Sequence, residues 1–195
     1  MTGNPTLTVY DRMAEDYRKM ASGVEFAGLA LFLKVLRPGS RVLDLGCGPG
    51  HESERIAAAG HDVLAVDGSA EMVAMAQGRP GVTARQALFE DIPTLGTFDG
   101  IWASFSLLHA PRGDFPRHLS QLHAAATPGA PFGLAMKLGD GEGPDSLGRH
   151  YTYHAEEDLR DQLAGAGFTP VDMRQGESAG LAGHPEPWIF LLSHA

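Results

Sequence analysis

Apolar and polar positions along the chain switch between a short-run pattern and a helical period. RVLDLGC (41–47) is a short apolar, β-branched run announced by Pro38-Gly39-Ser40, and it reads as a strand. HESERIAAAG (51–60) reads as a helix stopped by Gly60. The alternation continues with a strand at DVLAVDG (62–68), a helix opened by the N-cap-like Ser69 in SAEMVAMAQGR (69–79), and strands at VTARQAL (82–88) and FDGIWASFS (98–106). A helix over about 114–126 precedes Pro128-Gly129 and a fifth strand, PFGLAMKL (131–138). AEEDLRDQLAGAG (155–167) is a helix ending at Gly167, and TPVDMRQ and WIFLLSHA supply two more strands. Before residue 38, Tyr10, Met13, Ala14, Tyr17 and Met20 fall at helical spacing, and a second apolar helix runs from about Phe26 to Leu36. Strands separated by helices of this length predict βαβ units and a mainly parallel α/β sheet. The last two strands have a loop but no helix between them, which suits antiparallel pairing at one edge. The Gly-rich stretch 139–148 reads as a long loop, a place for function or mobility. With no repeat and no dividing linker, the expectation is one domain over 1–195.

Charge narrows the function. Fifteen basic residues against 24 acidic ones give a net charge of −9, without a cluster of Lys and Arg. Nucleic-acid binding and anionic membrane surfaces both need such a cluster, so neither is expected. An acidic small substrate remains compatible, because one local cationic pocket suffices. Apolar stretches fall far short of the roughly 20 residues of a membrane span, and the polar, acidic N-terminal segment does not read as a signal peptide. A single cysteine, Cys47, excludes an intrachain disulfide and fits a reducing compartment, so a cytoplasmic location is expected.

The most informative segment is Asp44-Leu45-Gly46-Cys47-Gly48-Pro49-Gly50, which ends the first strand and opens a helix. Glycines let the backbone turn sharply and let a ligand approach, and the helix start offers unpaired N–H groups. The spacing is G-x-G-x-G after an acid, not the G-x-G-x-x-G of dinucleotide sites, and no G-K-[ST] is present. An acid before the turn suits a ligand carrying an amino group. A second acid, Asp67, ends the second strand, where a carboxylate accepts ribose hydroxyls and repels a 2′-phosphate. Together they describe an adenosine ligand with an amino-acid-like arm.

VLDLGCGPG, AVDGS, FDGIWASFSLLHAPR and TPGAPFGLAMK resemble the class I S-adenosylmethionine-dependent methyltransferases, from about residue 8 onward. The resemblance implies a Rossmann-like, doubly wound sheet of about seven strands, the last antiparallel, with residues 1–37 as a helical cap. It implies S-adenosylmethionine as cofactor: Gly46, Gly48 and Gly50 along the methionine moiety with Cys47 beside them, Asp44 near its amino group, Asp67 on the ribose with Gly68 and Ser69 beside it, and Met72 on the adenine. Many relatives place an Asp after the third strand for the adenine amino group; Leu88-Phe89 stand there, so either their backbone groups serve or Glu90 or Asp91 is recruited. Tyr17 with Tyr10 is either a lid over the cofactor or ordinary packing. Cys47 reads as a small packed residue rather than a nucleophile. Met75, Met136, Trp102 and Trp188 read as structural.

Ligands of open α/β sheets sit beyond the carboxyl ends of the strands, a region that here includes Ser104 at the end of the fourth strand. Ser104-Phe105-Ser106-Leu107-Leu108-His109 is not the Asn/Asp-Pro-Pro-Tyr/Phe motif of enzymes that methylate base or glutamine amino groups. His109 is either a general base or a packed strand-end residue. Lys137, Glu142, Arg149 and Tyr151 fall in a segment resembling a subgroup with K-x-G-x-G-E and G-R-x-[FY] after the fifth strand. Lys137 and Arg149 suit an anionic group and Glu142 a cation or proton; alternatively Lys137 and Glu142 pair with each other. His150 and His154 lack an obvious third ligand, so no metal is expected. The expected activity is methyl transfer to a small-molecule acceptor by a monomer or homodimer. The rivals are a non-catalytic cofactor-binding module, a protein or nucleic-acid methyltransferase, and a nicotinamide-dependent oxidoreductase.

Overall fold

The structure is a computed structural model and describes residues 4–23 and 26–195. Three helices lead the chain: α1 (Pro5–Arg12), α2 (Ala14–Ala21) and α3 (Ala27–Val35). The helical spacing from Tyr10 to Met20 does not form one rod, because Met13 leaves the helical region (φ −107°) and divides α1 from α2. The α/β alternation continues as β1 (Arg41–Leu45), α4 (His51–Ala58), β2 (Asp62–Asp67), α5 (Ala70–Gln77), β3 (Val82–Gln86), β4 (Gly100–Ser104), α6 (Phe115–Ala125) and β5 (Pro131–Lys137). Then come β6 (Glu142–Pro144), β7 (His150–Thr152), α7 (Glu156–Gly165), β8 (Thr169–Ala179) and β9 (Pro185–His194).

Seven strands form one sheet in the order β3-β2-β1-β4-β5-β9-β8. All neighbours through β5 are parallel, and β9 runs antiparallel to both β5 and β8. The last strand therefore sits inside the sheet, and β8 forms the edge. The expected 139–148 loop is instead a small separate hairpin. Glu142 pairs with Thr152 and Pro144 with His150, the glycines supplying its turns rather than a free coil.

Strand alternation sorts the core onto two faces. Leu43, Leu45, Ile101, Phe132, Leu134, Ile189 and Leu191 point to one side, where Leu119 and Leu122 of α6 and Leu159 and Leu163 of α7 cover them. Val42, Val63, Trp102, Phe190 and Leu192 point to the other, under Leu29, Phe32 and Leu36 from α3 and its C-terminal flank and Ile56 of α4. Every residue of β5 is buried, as a strand covered on both faces requires. Gly133 on β5 is needed there: a Cβ would lie 2.5 Å from Trp102 Cε3.

Candidate functional site

At the carboxyl end of β1 the chain turns back through Gly46, Gly48 and Gly50, with φ of +75°, +53° and +79°. The Gly46 and Cys47 N–H groups both donate to the Val66 carbonyl (2.7 and 3.0 Å), anchoring the loop to β2. Two cavities open on either side of this loop. One, of about 190 Å³, is bounded by Asp67, Gly68, Met72, Leu88, Phe89 and Glu90 together with Leu7 of α1. The other, of about 510 Å³, is bounded by Glu52, Lys137, Arg149, Tyr151, Trp188 and Phe26 among others. They share Tyr10, Tyr17, Gly46, Gly48, Ser104 and Phe105. Phe105 is the one non-glycine residue with positive φ (+54°) among the described residues, a strained conformation placed where the cavities meet.

The three glycines serve different ends. A Cβ on Gly46 would lie 2.2 Å from Ser106 Cβ, so the end of β4 leaves no room for one. Gly50 backs onto α5, where a Cβ would lie 2.9 Å from Ala76 Cα, and it lines neither cavity. A Cβ on Gly48 would come within 3.4 Å of Tyr17 Cε1, so this glycine faces the Tyr17 ring.

Three acids surround the loop. Asp67 accepts the Gly48 N–H on Oδ2 (2.9 Å) and the Ser69 N–H on Oδ1 (2.8 Å), and burial raises its carboxyl above the usual range. Asp44 is buried beneath the loop and accepts the Ser53 hydroxyl at 2.5 Å. Burial, reinforced by nearby Glu52, pushes its carboxyl up to about 8. Glu52, in the first turn of α4, accepts the Trp102 indole N–H at 2.8 Å, and burial raises it as well. Crowded, desolvated acids of this kind favour a cationic ligand, whose charge would restore the ionised forms.

The N-terminal helices close over the junction of the cavities through specific bonds. The Ser69 hydroxyl donates to Asp11 (2.6 Å) while capping α5 through the Met72 N–H, so it is spent on structure and lines neither cavity. Thr6 accepts the His150 N–H at 2.9 Å. Leu7 packs against Gly68, where a Cβ would lie 2.7 Å from Leu7 Cδ2. Tyr10 is the centre of a polar chain. Arg149, 2% exposed, is held by Asp145 (2.6 Å) and donates through Nη1 to the Tyr10 oxygen (3.0 Å). His109 Nδ1 faces the His150 carbonyl (2.6 Å), so it carries the proton, and Nε2 accepts the Tyr10 hydroxyl at 2.8 Å. Burial drives the His109 imidazole down to about 4, against the opposing pull of that carbonyl, and it is neutral at pH 7.

Lys137, at the end of β5, is 5% exposed and lines the larger cavity. It donates to the Ser178 carbonyl (3.0 Å) and stands 3.8 Å from Glu186 Oε2. Glu142 is not its partner: it accepts the Arg112 N–H (2.8 Å) and the Thr152 hydroxyl (3.2 Å) on the small hairpin, outside both cavities. The structure thus gathers Tyr17, Cys47, Gly46, Gly48, Asp67, Gly68, Met72, Leu88, Phe89, Ser104, His109, Lys137, Arg149 and Tyr151 around the two cavities. Gly50, Ser69 and Glu142 stand apart, and Asp44 lies beneath the loop. The Leu88 N–H is taken by Asp91 Oδ2 (2.9 Å) and the Leu88 carbonyl by the Asp91 N–H (3.0 Å), which leaves Glu90 as the acid on that wall. His150 and His154 do not converge: His150 reaches Thr152 (3.1 Å), whereas His154 is buried against Phe115 (ring centroids 4.8 Å). Sequence reasoning passed over Glu52, Phe26 and Phe105. Glu52 looks like any acid favoured at a helix start, although its place directly after the glycine loop was a usable signal.

A methyltransferase domain family matches residues 42–129. Malonyl-[acyl-carrier protein] O-methyltransferase of Erwinia billingiae is 33% identical over 129 residues, 62% of this chain and 48% of that protein. Magnesium-protoporphyrin O-methyltransferase of Rhodobacter capsulatus is 33% identical over 104 residues, 51% of this chain and 46% of that protein. The chain spans about half the length of the curated relatives it matches. Among solved structures, 1,6-didemethyltoxoflavin-N1-methyltransferase of Burkholderia thailandensis, with 1,6-didemethyltoxoflavin and S-adenosylhomocysteine bound, superposes with a TM-score of 0.74 at 24% identity, covering 97% of this chain and 87% of that one. Sheet order and these likenesses agree: the chain has the fold of that methyltransferase, and its residues 42–129, which include the glycine loop and Asp67, match the methyltransferase domain family.

Proposed function

We propose that this protein transfers a methyl group from S-adenosylmethionine to a small-molecule acceptor by direct displacement. The observation that carries this reading is the meeting of two cavities at Gly46, Gly48, Ser104 and Phe105, one against Asp67 and the other against Lys137 and Arg149. The residues present fit the cofactor. Asp67 is oriented by two backbone N–H groups and retains lone pairs for ribose hydroxyls, and Met72 offers an apolar face in the same cavity. Asp44 and Glu52 supply negative charge for a ligand bearing an ammonium and a sulfonium. When bound, S-adenosylmethionine supplies an electrophilic methyl group.

The chain's own contribution is alignment and exclusion of water. Tyr10 and Tyr17 cover the junction, and the Arg149–Tyr10–His109 chain holds that cover in one position. His109 spends Nδ1 on a carbonyl and Nε2 on Tyr10, so in this closed arrangement it is a positioning residue. The negative net charge supports a small acceptor over nucleic acid. No described helix is long and apolar enough to cross a membrane.

Calorimetric titration with S-adenosylmethionine, S-adenosylhomocysteine and NADH tests the reading. Binding of the two adenosyl ligands is expected, weakened roughly 100-fold or more in Asp67→Asn, since hydrogen bonds to a charged group contribute about 1.5–3 kcal/mol each. Binding of NADH alone, or of none of the three, refutes it.

A further inference from the structure

We infer that the larger cavity binds a planar aromatic acceptor bearing an acidic oxygen, with its ring against Phe26, Phe105 and Trp188 and its oxygen on Lys137. Calling that ligand an acceptor rests on the methyl-transfer reading; the chemistry of the cavity does not. The three rings meet one another edge to face, at centroid distances of 5.4 Å (Phe26–Phe105), 5.2 Å (Phe26–Trp188) and 6.5 Å (Phe105–Trp188). They form one continuous aromatic wall of a cavity of about 510 Å³. Their placement is built in. Trp188 on β9 lies across Gly176 on β8, where a Cβ would meet the indole at 2.5 Å, so any larger residue would displace it. Phe105 is held at the wall by a strained backbone with φ of +54°. Ring stacking and edge contacts against such a wall reward a flat π-system over an aliphatic one of similar size.

Lys137 supplies the second half. Its ammonium lies 5.6 Å from the centre of the Phe105 ring, so a charged group meeting it sits where a ligand ring meets the wall. Its protein partners leave it under-compensated for a cation only 5% exposed. Two are neutral carbonyls, and the Glu186 carboxylate stands at 3.8 Å while giving its other oxygen to the Tyr153 hydroxyl. Burial lowers the Lys137 ammonium from its ordinary range, with Glu186 opposing, and an incoming anion would reverse that. Arg149, which also lines this cavity, is already neutralised by Asp145 at 2.6 Å. Charge is thus divided across the site, with acids beneath the glycine loop and an available cation at the end of β5. Glu177, the acid that lines the larger cavity besides Glu52 among the described residues, is exposed at its rim.

Three probes separate the two halves by calorimetry, with and without S-adenosylhomocysteine: 1-naphthoate, 1-naphthylmethanol and cyclohexanecarboxylate. We expect 1-naphthoate to bind at least tenfold more tightly than either of the others. Lys137→Met should remove its advantage over the alcohol, and Trp188→Leu should reduce its advantage over the aliphatic acid; S-adenosylhomocysteine binding by each variant reports that it is folded. Equal affinity for the three probes, no binding of any, or undiminished naphthoate binding by a folded Lys137→Met overturns the assignment. The comparison on the unaltered protein decides the matter even when a variant does not fold. Naphthoate preference without any S-adenosylhomocysteine binding would uphold the cavity chemistry and sink the methyl-transfer reading instead.

Discussion

Tyr10→Phe removes a single oxygen atom, and the structure fixes what that atom holds. It accepts from Arg149 Nη1 at 3.0 Å and donates to His109 Nε2 at 2.8 Å. The ring contacts with Tyr17 (5.6 Å) and the Arg149 guanidinium (5.3 Å) survive in phenylalanine, so the loss is confined to the polar contacts of the hydroxyl, chiefly those two hydrogen bonds with the Tyr151 hydroxyl beside them. Both partners are left without a substitute: Arg149 is 2% exposed, and the other His109 nitrogen is already bonded to a carbonyl. An unsatisfied buried polar group costs about 1–3 kcal/mol, so the pair costs about 2–5 kcal/mol, toward the lower end where the adjoining cavity admits water. At about 2–4 °C per kcal/mol for a chain of this size, Tm should fall by roughly 5–15 °C. Thermal unfolding followed by circular dichroism measures this. A double-mutant cycle with His109→Asn should show coupling of about 1 kcal/mol or more. A change in Tm below about 1 °C, with no coupling, would refute the bonded chain and with it the latch over the two cavities.

Gly46→Ala should cost about 3 kcal/mol or more, because it combines a φ of +75° with a Cβ placed 2.2 Å from Ser106 Cβ; urea unfolding checks it, and near-wild-type stability would contradict that contact. Asp44 holds its proton in the fold up to about 8, whereas the unfolded carboxyl releases it near 3.8. The stability this proton confers is therefore present at low pH and lost as pH rises through about 8. Tm of the unliganded protein should decline from about pH 4 to about pH 8 and level off above that, and Asp44→Asn, which still accepts from Ser53, should flatten the decline; parallel profiles would exclude the effect. Glu52→Gln keeps an acceptor for the Trp102 indole but removes a charge, so it should weaken cationic S-adenosylmethionine roughly three- to tenfold more than S-adenosylhomocysteine. Equal weakening in paired titrations would show that Glu52 does not act through charge.

The sheet was readable because its signals are local. Short apolar runs, helices of standard length and glycine stops define βαβ units without reference to distant residues, and G-x-G-x-G with Asp67 marks the ligand edge. What the sequence concealed depends on contacts remote along the chain. Gly50 and Gly46 belong to one motif, yet one is demanded by Ala76 and the other by Ser106. Ser69 reads as a ligand neighbour until Asp11, 58 positions earlier, takes its hydroxyl. Lys137 and Glu142 are close in sequence and suggest an ion pair, but the β6–β7 hairpin carries Glu142 to Arg112 while β9 brings Glu186 to Lys137. The glycines at 139–148 suggested coil because three-residue strands are too short to show a period.

The position of β9 has a consequence for how the molecule is made. Before Pro185–His194 has emerged from the ribosome, the fully buried strand β5 has one bare edge, and β8 has no sheet neighbour at all. A chain arrested anywhere in the stretch 138–184 would present an unpaired apolar ladder flanked by Phe132, Leu134 and Met136, a template for pairing with other chains. The hairpin must then insert as a unit, its inner strand completing the sheet. Nascent copies of this protein are therefore expected to depend on ribosome-associated chaperones until β9 emerges, when β1 to β5 and the glycine loop are already in place.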